Sequence, residues 1–211
     1  MSKERRAGLL CVSGGGIAVN AEEKVAVLAR AAAALNAANV TWAVGASALL
    51  YFEGVTDTFN DLDLLIAEGD MLSAEQAMFF AGATQLPSPG PTSAYVTRQY
   101  SKFRLDDVDF DLLCGFSLRR KGEVYEYPFG PDHIAYVAQA QGVPVPLSPL
   151  ADWFILYLLM PDRGRRAVQI ARYLKAHPRK ERRKWLTMWL SGRLPGDVRE
   201  RAMALFGSAA L

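Results

Sequence analysis

Little in this chain speaks for cross-links, thiolate clusters or a membrane. Two cysteines in 211 residues, Cys11 and Cys114, give neither a disulfide framework nor a metal-ligand cluster, and fit a reducing, cytoplasmic setting. The two histidines, His133 and His177, have no acidic or cysteine partner at ligand spacing and read as structural or surface residues. No stretch approaches the roughly 20 apolar residues that span a bilayer. A short apolar run follows Arg5-Arg6, but Ser13-Gly-Gly-Gly16 breaks it too early for a secretory signal. That triple glycine also lacks the Lys-Ser/Thr ending of a phosphate loop, so it reads as a flexible joint closing a leader over residues 1–19. There is no internal repeat.

The composition is that of a globular protein: 51% hydrophobic and 22% charged residues exclude a disordered chain. A net charge of +2 hides a division along the sequence. Residues 1–150 carry −6 and residues 151–211 carry +8. An acidic first part beside a basic tail suits a polyanionic substrate. The length allows one core with an appended helical part, and the texture places the boundary near residue 150. The expected division is a leader (1–19), an α/β domain (20–149) and a basic C-terminal helical bundle (150–211).

The chemistry concentrates in Trp42-Ala-Val-Gly-Ala-Ser-Ala-Leu-Leu-Tyr-Phe-Glu-Gly54 and Asn60-Asp-Leu-Asp-Leu-Leu-Ile66. The first stretch reads as a short apolar strand, a tight Gly45-Ala46-Ser47 turn and a buried helix to about Phe52. The second reads as a strand with carboxylates at i and i+2. Alternation puts Asp61 and Asp63 on one face, about 6.6 Å apart at Cα, with Leu62 and Leu64 facing the core. Aspartate is disfavoured in strands, so two of them between apolar residues need a reason, although a wet strand face is the plain alternative. Mg²⁺ prefers carboxylate oxygens and takes one or two of them plus substrate phosphates. The turn beside them offers backbone N–H groups to an anion.

Together these residues resemble the DNA polymerase β-type nucleotidyltransferase superfamily, in particular its small stand-alone bacterial members. The matching features are Gly45-Ala46-Ser47, an intervening helix, Asp61-Leu62-Asp63, and a third carboxylate within Val108-Asp-Phe-Asp-Leu-Leu-Cys-Gly-Phe116. The likeness covers about residues 22–160. It implies an α/β (α+β) fold: a mixed sheet of four or five strands, helices mostly on one side, and a C-terminal helical region. It also implies transfer of a nucleoside monophosphate from an NTP such as ATP to a hydroxyl, with release of pyrophosphate. By the same resemblance, Asp61, Asp63 and Asp111 would hold two Mg²⁺ ions, and Gly45, Ala46 and Ser47 would hold the phosphates. Asp109 shares the strand face of Asp111 and is the alternative third carboxylate. The acceptor stays open among RNA or tRNA, a small molecule and a protein. A separate helical partner, as in toxin–antitoxin pairs, is a further expectation.

Two departures stand out. Members usually carry Gly then Gly or Ser, where this chain has Gly45-Ala46. Small members often carry an acid and a lysine on the helix occupied here by Leu150–Met160, a stretch with Asp152 and no lysine. These departures keep open a degenerate member that binds nucleotide or RNA without chemistry. Arg163, Arg165 and Arg166 are candidate phosphate ligands, with a solvated helix face as the alternative. From Arg163 to Lys184 the chain holds ten Lys/Arg and one acid, on helices expected at about 164–176, 179–191 and 197–207. Trp185 and Trp189 stand four apart, as core residues or as stacking platforms for bases.

Overall fold

The computed structural model describes residues 20–88, 90–178 and 180–206; the expected leader and Cys11 lie outside them, as do the side chains of residues 180–183. The first helix, α1 (Ala21–Ala37), starts at a capping box, Asn20 and Glu23 each bonding the other's backbone N–H, and buries Leu28, Ala31, Ala32 and Leu35 along one stripe. There follow β1 (Trp42–Val44), α2 (Ala46–Phe52), β2 (Leu62–Ile66), α3 (Met71–Phe80), β3 (Thr84–Leu86), β4 (Gln99–Leu105), β5 (Val108–Cys114), β6 (Ser117–Arg120), β7 (Glu123–Glu126), β8 (Tyr136–Ala140) and β9 (Val143–Leu147). The chain ends in four helices, α4 (Leu150–Leu159), α5 (Gly164–Ala176), α6 (Lys180–Ser191) and α7 (Gly196–Phe206), close to where periodicity predicts them.

The main sheet is mixed, in the order β3-β4-β5-β2-β1-β9-β8, and β6-β7 form a separate ribbon. Seven strands replace the expected four or five. The additional ones are β3, whose residues are mostly exposed, and the β8-β9 hairpin; β9 carries Pro144 and Pro146, and from sequence Pro144 to Pro149 reads as an extended crossing segment. Strands β1 and β9 run parallel, so the crossing segment became part of the sheet. From sequence, Tyr95 to Leu105 reads as one strand; in the structure β4 begins only at Gln99, and Tyr95 itself forms an isolated bridge to Leu118. From sequence, this strand and Val108 to Cys114 read as a hairpin turning at Asp106-Asp107, and the β4-β5 hairpin is present, with Asp106 at its tip in the left-handed region (φ 51°).

Two features of the fold bear on the acidic residues and the glycine turn. Strands β2 and β5 are parallel neighbours, with Asp63 opposite Asp111. Helix α4 is buried along its whole length and carries Trp153 against the β1-α2 turn. One apolar core runs through the sheet, α1 to α4 and the C-terminal helices.

Candidate active site

The β1-α2 turn is shaped by packing more than by a need for unusual backbone angles. Gly45 has an ordinary extended φ of −123°. A Cβ there would stand 2.2 Å from Cζ2 of Trp153, so glycine is required by the indole lying on it. That indole is fixed in turn: its N–H donates to Ser148 Oγ (2.9 Å), and Ser148 donates to the carbonyl of Val44 (2.8 Å). The left-handed residue of the turn is Ala46, at φ 43°, an angle that costs a non-glycine residue about 1–2 kcal/mol. Gly45 N–H bonds the carbonyl of Asp63, which ties the turn to β2. Ser47 Oγ lies 3.5 Å from the carbonyl of Asp61. Helix α2 has only seven residues, so its N-terminus offers a weaker dipole than the motif alone suggests.

A cavity of about 550 Å³ opens here. Ala46, Ser47, Asp61, Asp63 and Asp111 line it together. The parallel register carries Asp63 and Asp111 to the same level of adjacent strands, and Asp61 stands just before β2. Asp109 does not line the cavity. It is bound by Arg104 (Nε–Oδ1 2.6 Å) and Lys102 (3.3 Å), which hold its carboxyl below the usual range.

The electrostatics of the three carboxylates are uneven. Burial, then the charges of Asp61 and Asp111, raise Asp63 from 3.8 to about 8, against weaker opposition from Lys102 and Arg163. No protein donor reaches its carboxylate among the described residues. Asp111 has two donors on one oxygen: Tyr100 Oη at 2.8 Å and Lys102 Nζ at 3.1 Å both meet Oδ1. Lys102 faces Asp111 directly across the β4-β5 ladder, so the backbone register sets this contact. Burial, and then the bond to Asp111, push the Tyr100 hydroxyl upward.

Among the described residues, no three His, Cys, Asp or Glu side chains already form an ion-holding group. The donor chemistry nevertheless fits a divalent cation: acceptor-only oxygens converge on one cavity, and their mutual repulsion is what a cation relieves.

Sequence reasoning missed Tyr100 and Lys102, which lie on a strand whose alternation looks like any wet edge. Only the register with β5 reveals them. It also missed Trp153 and Tyr157, which line the cavity from an apolar helix with no motif. Of the three candidate arginines, Arg163 and Arg166 line the cavity and Arg165 faces solvent. Trp185 is buried and Trp189 donates to Asp152 (2.8 Å), so both serve the core and neither is a base-stacking platform. His133 is buried between Tyr127 and Trp185, and His177 stacks on Tyr173, as structural residues.

No family model and no curated protein sequence matches the chain. Solved structures do. A Thermotoga maritima protein described as a nucleotidyltransferase superposes with a TM-score of 0.54 at 18% identity, over 81% of this chain and 94% of that one. ANT(2″)-Ia in complex with adenylyl-2″-tobramycin superposes with a TM-score of 0.53 at 12% identity, over 80% of this chain and 97% of that one. Identities this low show the fold alone, and the chain shares the fold of these two proteins.

Proposed function

We propose that this protein moves a nucleoside monophosphate from an NTP, such as ATP, to an acceptor hydroxyl and releases pyrophosphate. The observation that carries this is the register of β2 against β5, which sets Asp63 beside Asp111 on the wall of a cavity that Asp61 also lines. The neighbours' fold supports transferase chemistry in general terms.

In this reading Asp61, Asp63 and Asp111 hold divalent cations, with Mg²⁺ as the natural choice for an all-oxygen set. Bound there, such ions supply charge neutralisation at the transferring phosphoryl group and at the entering and leaving oxygens. The chain's own residues do the rest. Ser47 and the N–H groups of Ala46 and Ser47 hold the phosphates, since Gly45 N–H is bonded to Asp63 and Gly45 does not line the cavity, and Arg163 and Arg166 offer guanidinium groups to the phosphates from the cavity wall. Tyr100 and Lys102 hold Asp111 by one oxygen, leaving the other for the site. The acceptor oxygen bonds to the α-phosphorus as the bridge to the β-phosphate breaks. The acceptor's proton passes to the carboxylate cluster and then to solvent.

A second reading, nucleotide binding without transfer, is favoured by one contact: Lys102 already occupies Asp111. A helical partner protein, as in a toxin–antitoxin pair, belongs to the same proposal as an acceptor or regulator. Incubation with the four α-labelled NTPs, Mg²⁺ and cell extract tests both readings. Label transferred by the wild type and lost in Asp63→Asn supports the enzyme. NTP binding without labelled product supports the second reading.

A further inference from the structure

Strand β4 sets two cations against two acids of β5: Lys102 stands opposite Asp111, and Arg104 opposite Asp109. The two pairs are not closed off from each other. Arg104 Nε takes Oδ1 of Asp109 at 2.6 Å, and the other oxygen, Oδ2, lies 3.3 Å from Lys102 Nζ. The same ammonium lies 3.1 Å from Oδ1 of Asp111. Lys102 is thus shared almost evenly between a carboxylate that lines the cavity and one that does not. All three side chains are partly buried, so solvent screens their charges less than on an open surface. The second donor on Asp111 Oδ1 is the neutral hydroxyl of Tyr100.

We infer that Lys102 is a displaceable internal counter-ion: it holds Asp111 while no divalent cation is bound and moves fully onto Asp109 when one is. This rests on the cation-holding role proposed for Asp111, and it gives a role to two residues outside the cavity. An ammonium and a divalent cation on the two oxygens of one carboxylate repel each other, the more so where water is scarce. Lysine suits an exchange, being a compact charge on a flexible four-carbon stem, where a guanidinium would fork and stay. Its other partner is already in place, because Asp109 Oδ2 is within ion-pair reach before any movement. Arg104 holds Asp109 by the opposite oxygen and so keeps Oδ2 free to receive the ammonium. Tyr100 retains Oδ1 of Asp111 throughout. Lys102 and Asp109 are positioning residues, which act on the cation through Asp111 and do not ligate it.

The test is Mn²⁺ titration of the nucleotide-free full chain, read by electron paramagnetic resonance of the free ion, in the wild type, Lys102→Met, Asp109→Asn and the double variant. Lys102→Met removes the competing charge and should bind Mn²⁺ about tenfold more tightly. Asp109→Asn removes the receiving carboxylate and should still bind, about tenfold more weakly. In the double variant that loss should disappear, since no ammonium is left to receive. Simple loss of a nearby negative charge would instead add to the Lys102 effect. Lys102→Gln repeats the first arm with a hydrogen-bonding side chain, and a thermal melt of each variant checks that the β4-β5 ladder survives. Tighter binding by the Lys102 variants together with the vanishing Asp109 effect supports the inference. Unchanged or weaker binding by both Lys102 variants, unchanged binding by Asp109→Asn, or an Asp109 effect that persists in the double variant overturns it and leaves the cation site standing. Absence of Mn²⁺ binding from all of these proteins overturns the inference and the cation-holding reading together.

Discussion

Among the described residues, Asp63 and Asp152 are carboxylates lifted far above the ordinary 3.8, both chiefly by burial, but what surrounds them differs. Asp152, on α4, is fully buried and raised to about 7 by burial alone. Its two oxygens accept from Tyr127 and Trp189, and both bonds act to lower it. Asp63 is raised to about 8 by burial together with two like charges, and no protein donor among the described residues answers it. The first is a finished polar contact that fastens α6 to α4 and to the segment after β7. The second is an unfinished one. A fold retains crowded, unanswered carboxylates at a cost, which the proposed cation would relieve.

The largest effect expected from breaking this contrast is on turnover. Asp63→Asn should reduce nucleotidyl transfer by about 10³-fold or more, the loss typical of removing an electrostatic group from a reacting centre. The same variant should raise the thermal stability of the cation-free protein at pH 8, by about 1–2 kcal/mol, because it removes a repelled charge. A paired loss of activity and gain of stability is the signature of a functional carboxylate. Asp152→Ala should do the reverse. It strands the Tyr127 hydroxyl and the Trp189 N–H in the core and should cost about 2–4 kcal/mol in denaturant melts.

The pH dependence sharpens the comparison further. Between about 4 and about 8 the folded state keeps a proton on Asp63 that the unfolded chain has released, so cation-free stability falls as pH rises through that window and levels off above it. Asp152 contributes the same sign only up to about 7. A divalent cation competes with the proton on Asp63, so Mg²⁺ should raise the melting temperature more at pH 8 than at pH 5. That difference should vanish in Asp63→Asn and persist in Trp189→Phe. The smallest effect expected is at Ala46: replacement by glycine relieves the left-handed backbone and should stabilise by about 0.5–1 kcal/mol in a thermal melt.

Much of the architecture was legible because each signal was local. The apolar stripe of α1, the alternation around Asp61 and Asp63, the Asp106-Asp107 turn and the breaks between the C-terminal helices depend on residues close in sequence. What escaped depends on residues far apart. Strand β9 pairs with β1 across roughly a hundred residues, and its two prolines disguise it. Gly45 looks like a phosphate-loop glycine, yet what forbids a side chain there is Trp153. Lys102 and Tyr100 gain meaning only when β4 is laid against β5 in register. The choice between Asp109 and Asp111 was likewise open in the sequence, since the two share a strand face. In the structure Asp109 is paired with Arg104 outside the cavity and Asp111 lines it, which favours Asp111 in the proposed site.

Direct titration with Mn²⁺ at pH 8, followed by electron paramagnetic resonance of the free ion, addresses the carboxylate cluster without reference to any acceptor. The account predicts saturable binding by the wild type that is lost in both Asp63→Asn and Asp111→Asn while Asp109→Asn retains it. Wild-type affinity in either of the first two variants would contradict it.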